Sequence, residues 1–131
     1  MNDCPKLMVV DDEVDVCNFV KSFFGMRGFE VAMAFSGEDA LGRLSEERPD
    51  VMILDVMMHG WKEGLEYLPK IKERLPSVKV IMVTGVDDEE SVRLAKSLGA
   101  DGYVTKPLVL EYLEGTVLEK VKNLKRESSH L

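Results

Sequence analysis

Cysteine is scarce in this chain: Cys4 and Cys17 are the only two in 131 residues. That is too few for a disulfide framework, so a reduced, cytoplasmic setting is the expectation. Long hydrophobic runs are missing. No stretch approaches bilayer-spanning length, and the opening Met1-Asn2-Asp3-Cys4-Pro5-Lys6 has no apolar signal core. Positive charge is in deficit, with 17 Lys and Arg against 24 Asp and Glu. The resulting formal charge of −7 argues against direct contact with nucleic acid. Repeats, low-complexity segments and linkers are also absent. What remains, 45% apolar and 31% charged, suits one globular domain with a real core and is too little for two.

What the chain does have is a regular alternation of apolar runs with amphipathic segments. The pattern predicts strands at 7–10, 29–33, 51–54, 78–83 and 101–105. Helices are expected at about 13–26, 36–47, 65–75, 88–98 and 108–125. The strands are rich in Val, Ile, Leu and Met without strict alternation, which fits a parallel sheet buried on both faces. Five β-α units with right-handed crossovers give a three-layer α/β sandwich. Ser36 with Asp39, and Asp87 with Glu90, read as N-terminal caps. Cys17 falls with Val14, Val20 and Phe24 on one face of the first helix, and Leu110, Leu113, Val117, Val121 and Leu124 share a face of the last. Pro69 lacks an N–H and suits only a first turn, so the third helix should begin near Leu65 to Tyr67. That leaves a loop over 56–64. Residues 1–127 read as the domain and 128–131 as a frayed tail.

The chemistry lies at the strand ends. Asp11 and Asp12 follow Leu7-Met8-Val9-Val10, and Asp55 follows Val51-Met52-Ile53-Leu54. Neighbouring parallel strands would bring the three carboxylates to one sheet edge, where ligand sites of such sheets form. Gathered like charges repel, and a hard divalent cation held by oxygens relieves them. Thr84 and Lys106 end two further strands and add a hydroxyl and a second cation. Alone, an Asp-Asp pair before a helix would more simply be a cap. Five convergent polar groups point instead to a site for metal and phosphoryl group.

The motifs Val-Asp-Asp-Glu at 10–13, Ile-Leu-Asp at 53–55, Val-Thr-Gly at 83–85 and Gly-Ala-Asp-Gly-Tyr-Val-Thr-Lys-Pro at 99–107 resemble the receiver domains of two-component response regulators. The resemblance covers essentially the whole chain. It implies the flavodoxin-like fold, with strand order 2-1-3-4-5 and five flanking helices. It makes Asp55 the acceptor of a phosphoryl group from a sensor histidine kinase or phosphotransfer protein, and the domain a switch rather than an enzyme. It places Mg²⁺, or Mn²⁺, on Asp12, Asp55 and the Met57 backbone carbonyl, with Asp11 acting through water. Lys106 and Thr84 would contact phosphoryl oxygens, and Gly85 would leave the group room to approach. Thr84 and Tyr103 would be the switch pair, although half-buried packing serves Tyr103 equally well. The changing surface would be helix 88–98, strand 101–105 and the last helix, facing an output domain, an effector or a second copy through 88–125.

The chain departs from the family pattern in three places. After the phosphoacceptor the family carries Met-Pro and then Gly. Here Met58 matches, His59 stands for the Pro and Gly64 comes one position late, so a longer, freer loop is expected. Neither His59 nor Trp61 in that loop has a role legible from sequence. Leu108-Val109-Leu110 replaces a polar cap on the last helix, which suggests a hydrophobic contact. Met57 and Val86 occupy the positions that tune acyl-phosphate hydrolysis, and neither side chain orients water, so slow self-dephosphorylation is expected. Three rival readings stand beside the switch. A haloacid-dehalogenase-like phosphatase would want a second Asp where Met57 is. A flavin mononucleotide module would want an anion loop where Asp11-Asp12-Glu13 repels phosphate. A pseudo-receiver would only dock proteins. Whether the domain stands alone or belongs to a longer regulator is open.

Overall fold

Five short strands of apolar residues pair in parallel because each is followed by a helix that carries the chain back across the sheet. In the computed structural model, which describes residues 4–128, the strands are β1 (Lys6–Val10), β2 (Glu30–Ala34), β3 (Val51–Asp55), β4 (Lys79–Thr84) and β5 (Gly102–Thr105). Between them run α1 (Val14–Gly25), α2 (Gly37–Glu47), α3 (Glu63–Arg74) and α4 (Glu89–Ser97). The last helix, α5, starts at Leu110–Tyr112, passes through a π-helical turn at Leu113–Val117 and continues as Leu118–Ser128. The sheet order is β2-β1-β3-β4-β5, as the resemblance implied.

Two cores explain why the strand sequences do not alternate. Met8, Val10, Met52, Leu54, Val80 and Met82 face one cluster, shared with Ala40, Leu44, Leu65, Leu68, Ile71 and Ala95 of α2, α3 and α4. Leu7, Val9, Ile53, Ile81, Val83 and Val104 face the other, with Cys17, Val20 and Phe24 of α1 and Leu113, Val117 and Val121 of α5. Both strand faces are therefore apolar. Register sets the level of the site. Val10 pairs with Leu54 and Asp55 with Val83, so Asp11 emerges beside Asp55. Thr84 pairs with Thr105, and the Lys106 N–H donates to the Thr84 carbonyl at 2.9 Å.

Several expectations need correction. Asp55 and Thr84 are the last residues of their strands rather than the first beyond them. α3 begins at Glu63, so Pro69 lies in its interior and the Leu65 carbonyl loses its usual i+4 donor. The cap of α4 is Asp88, not Asp87: its carboxylate accepts the Ser91 N–H at 3.1 Å. Ser36 caps α2 as expected, accepting the Asp39 N–H at 2.9 Å. Val14 and Leu110 are exposed rather than core, whereas Leu113, Val117 and Val121 of the same expected stripe are buried. The helix continues through Ser128 into the segment expected to fray, whereas 129–131 lie outside the described residues. Among the described residues no helix is long and apolar enough to cross a membrane.

The segment after Asp55 is also tighter than a freer loop would be. Met58 and Trp61 exchange two backbone hydrogen bonds, of 3.0 and 3.2 Å, around His59 and Gly60. Both central residues have positive φ, 56° and 84°, the signature of a two-residue hairpin turn. Glycine suits such a position, and histidine takes it with strain.

Candidate functional site

Oxygens of Asp11, Asp12 and Asp55 all lie within 4.8 Å of one another at the carboxyl edge of β1 and β3. Asp11 and Asp55 are buried, at 3% and 1% exposure, and Asp12 is half-buried. Asp11 Oδ1 accepts the Glu13 N–H at 2.9 Å, so it does reach the start of α1, although the capping residue itself is Glu13. Burial, followed by the charge of Asp55, pushes Asp11 up to about 7, with the Glu13 N–H pulling the other way. Asp55 is raised by burial too, against the pull of Lys106. Three acids confined this closely, two of them out of water, make a hard-oxygen donor set that fits a divalent cation.

Lys106 is the local counter-charge. Its Nζ is 2.8 Å from Asp55 Oδ2, 3.9 Å from Glu13 Oε1 and 4.0 Å from Asp11 Oδ2. Burial works against its charge, yet Asp55, Asp11 and Glu13 together hold its pKa above the ordinary lysine value. The Thr84 hydroxyl is buried and donates to the Val104 carbonyl at 3.4 Å, a long bond. A Cβ on Gly85 would meet nothing within 4 Å, so the space above it is open. The Met57 backbone hydrogen-bonds the Asp55 carboxylate, while its side chain is 44% exposed and that of Val86 is 71% exposed. Tyr103 lies on β5 at the protein surface, with Lys96 Nζ 5.0 Å from its ring centroid.

The fold thus brings Asp11, Asp12, Asp55 and Lys106 together, with Thr84 and Gly85 on the adjoining strand end. Val86 and Tyr103 lie outward, lining a shared hollow with Thr84, Gly85 and Thr105. Three contributors are not evident from the sequence. Gly64 packs so closely that a Cβ there would stand 2.1 Å from the Asp55 carbonyl oxygen. The His59 main-chain N–H donates to Asp12 Oδ2 at 2.9 Å. Buried Glu63 accepts the Gly37 N–H at 2.6 Å and bonds His59 Nδ1 at 2.9 Å, and that bond raises the pKa of the histidine. The one available signal is the His that replaces Pro at 59, since only a non-proline residue has an N–H to give.

A parallel sheet of order 2-1-3-4-5 with polar groups gathered at its carboxyl edge defines a flavodoxin-like α/β domain with its site at the topological switch point. The model of the response regulator receiver domain matches residues 7–118, and this chain belongs to that family. It is similar to a CheY-like receiver domain protein from Methanospirillum hungatei, at 27% identity and a TM-score of 0.83, covering 95% of this chain and 99% of that one. The chemotaxis protein CheY4 of Vibrio cholerae matches at 27% identity and TM-score 0.81, over 92% and 98% of the two chains. The receiver domain of NtrX from Brucella abortus matches at 30% and 0.78, over 91% and 98%. In a longer NtrX chain the matched part is 29% of the whole.

Proposed function

We propose that this receiver domain is a phosphorylatable switch: Asp55 accepts a phosphoryl group from the phosphohistidine of a sensor kinase or phosphotransfer protein. The observation that carries this is Asp55 itself, buried within 4.8 Å of two further acids and 2.8 Å from Lys106. Mg²⁺, or Mn²⁺, would be held by Asp12, Asp55 and the Met57 carbonyl, with Asp11 through water, and would supply the positive charge that lets one anion approach another. A carboxylate oxygen of Asp55 attacks phosphorus. The O–P bond forms as the N–P bond breaks, and the imidazole leaves with the electron pair and takes a proton from solvent. Lys106 neutralises charge on the phosphoryl oxygens as they flatten. The Thr84 hydroxyl can exchange its long bond to Val104 for one of those oxygens, and Gly85 leaves their approach open.

The output depends on the same residues. Movement of Thr84 toward the phosphoryl group opens space that Tyr103 can fill, which alters the surface of α4, β5 and α5. Leu94, Tyr103, Val109 and Leu110 leave apolar area on these elements for an output domain, an effector or a second copy. The domain is an acceptor rather than a turnover enzyme. With Met57 in place of a second acid, a phosphatase of the haloacid-dehalogenase type lacks its general acid. Incubation with acetyl phosphate and Mg²⁺ should add one phosphoryl group by intact mass, and Asp55→Asn should add none. An unchanged wild-type mass would leave the protein-docking pseudo-receiver as the better reading.

A further inference from the structure

Glu63 is a buried acid at the first position of α3 that phosphoryl transfer does not use. Both of its oxygens are nevertheless engaged. Oε2 accepts the Gly37 N–H at the start of α2 at 2.6 Å, and Oε1 meets His59 Nδ1 at 2.9 Å. His59 sits in the left-handed region at φ 56°, a strained choice for a residue with a side chain. The grip of Glu63 on its ring offsets that strain. The result is that the His59 main-chain N–H donates to Asp12 Oδ2 at 2.9 Å. A proline at 59 could neither supply that hydrogen nor take that φ.

We infer that Glu63 and His59 are positioning residues for the cation site: Glu63, anchored on Gly37, locks the hairpin turn so that the His59 N–H fixes the Asp12 carboxylate. Two effects of that N–H compete. It occupies one lone pair the cation could use, which weakens binding. It also orders a half-exposed side chain that would otherwise sample several rotamers, which strengthens binding. A carboxylate offers about four lone-pair sites, so the lost pair matters less than the ordering. Net, the tether raises cation affinity. Its role rests on the reading of the three acids as a cation centre.

Trp61 is the only tryptophan and closes the same turn, so its emission can report Mg²⁺ binding without any phosphodonor. Glu63→Ala should weaken Mg²⁺ affinity about three- to tenfold, the scale of one net hydrogen bond. Glu63→Gln should recover most of it, because an amide can accept from Gly37 and donate to a neutral His59. His59→Pro should reproduce the Glu63→Ala loss, and the double variant should lose no more than either single one. Mn²⁺ titration by electron paramagnetic resonance provides a readout independent of the tryptophan. A folded Glu63→Ala protein with wild-type affinity, or losses that add in the double variant, would show that Glu63 only ties α2 to α3. The titration contains no phosphodonor, so failure of Asp55 to take a phosphoryl group would leave the tether standing. A wild type that binds neither Mg²⁺ nor Mn²⁺ would overturn both.

Discussion

Lys106 and Asp55 form the closest ion pair at the site, yet the lysine cannot satisfy three acids at once. Its Nζ is 2.8 Å from Asp55 but 4.0 Å from Asp11, and Asp11 remains raised to about 7. Burial first, and the charge of Asp55 after it, keep Asp11 raised, and a cation among these oxygens would relieve both. Two other residues bear on how long a phosphorylated Asp55 is expected to last. Met57 and Val86 stand exposed at the rim, and neither side chain can hydrogen-bond a water aimed at phosphorus. Replacing Met57 with Asn should shorten the life of the acyl phosphate about tenfold or more, the range expected when a water-orienting group is supplied. Loss of radiolabel from purified protein in Mg²⁺ measures it. Equal lifetimes would remove Met57 from any role in hydrolysis.

At the scale of single elements, two glycines make opposite predictions. Gly42 lies inside α2 with open space where a Cβ would stand, so Gly42→Ala should raise stability by about 0.5–1 kcal/mol in urea denaturation. Gly64, the second residue of α3, packs against the backbone of Asp55, and Gly64→Ala should both destabilise the fold and slow acetyl-phosphate labelling, because the Asp55 main chain must shift. The same elements show what a sequence can reveal. The end of β1 is legible, and those of β3 and β4 to within one residue, because short apolar runs, buried on both faces, give way to a polar residue at the sheet edge. The start of α3 is not legible. Pro69 argues for a late start, but Glu63 opens the helix with its carboxylate on the N–H of another helix, a tertiary bond. Leu110 falls outside the core its spacing predicts because it sits in the first turn of the helix, where the stripe of Leu113, Val117 and Val121 has not yet reached the sheet. The hydrogen bond from His59 to Asp12 is hidden for a simpler reason: its donor is main chain.

Over the whole molecule, the buried acids couple the site to stability. Asp11 titrates near 3.8 when free and at about 7 in the fold, so the folded state holds its proton more tightly than the unfolded chain does. For such a raised group the stabilisation is complete below the unfolded value and is lost as pH rises through the folded one. The metal-free protein should therefore melt at a lower temperature at pH 8 than at pH 5.5. Mg²⁺ should raise the midpoint more at pH 8, where the ionised acids bind it and ligand linkage adds stability. Equal midpoints at the two pH values without metal would contradict the burial of Asp11.

The thin seating of α4 carries a consequence at this scale. Only Ser91 and Ala95 of that helix are fully buried, both small, while Leu94 is left outside. Lifting α4 off the sheet therefore surrenders little apolar contact compared with lifting α1 or α5. Of the helices around this sheet, α4 is the one whose detachment would disturb the two cores least.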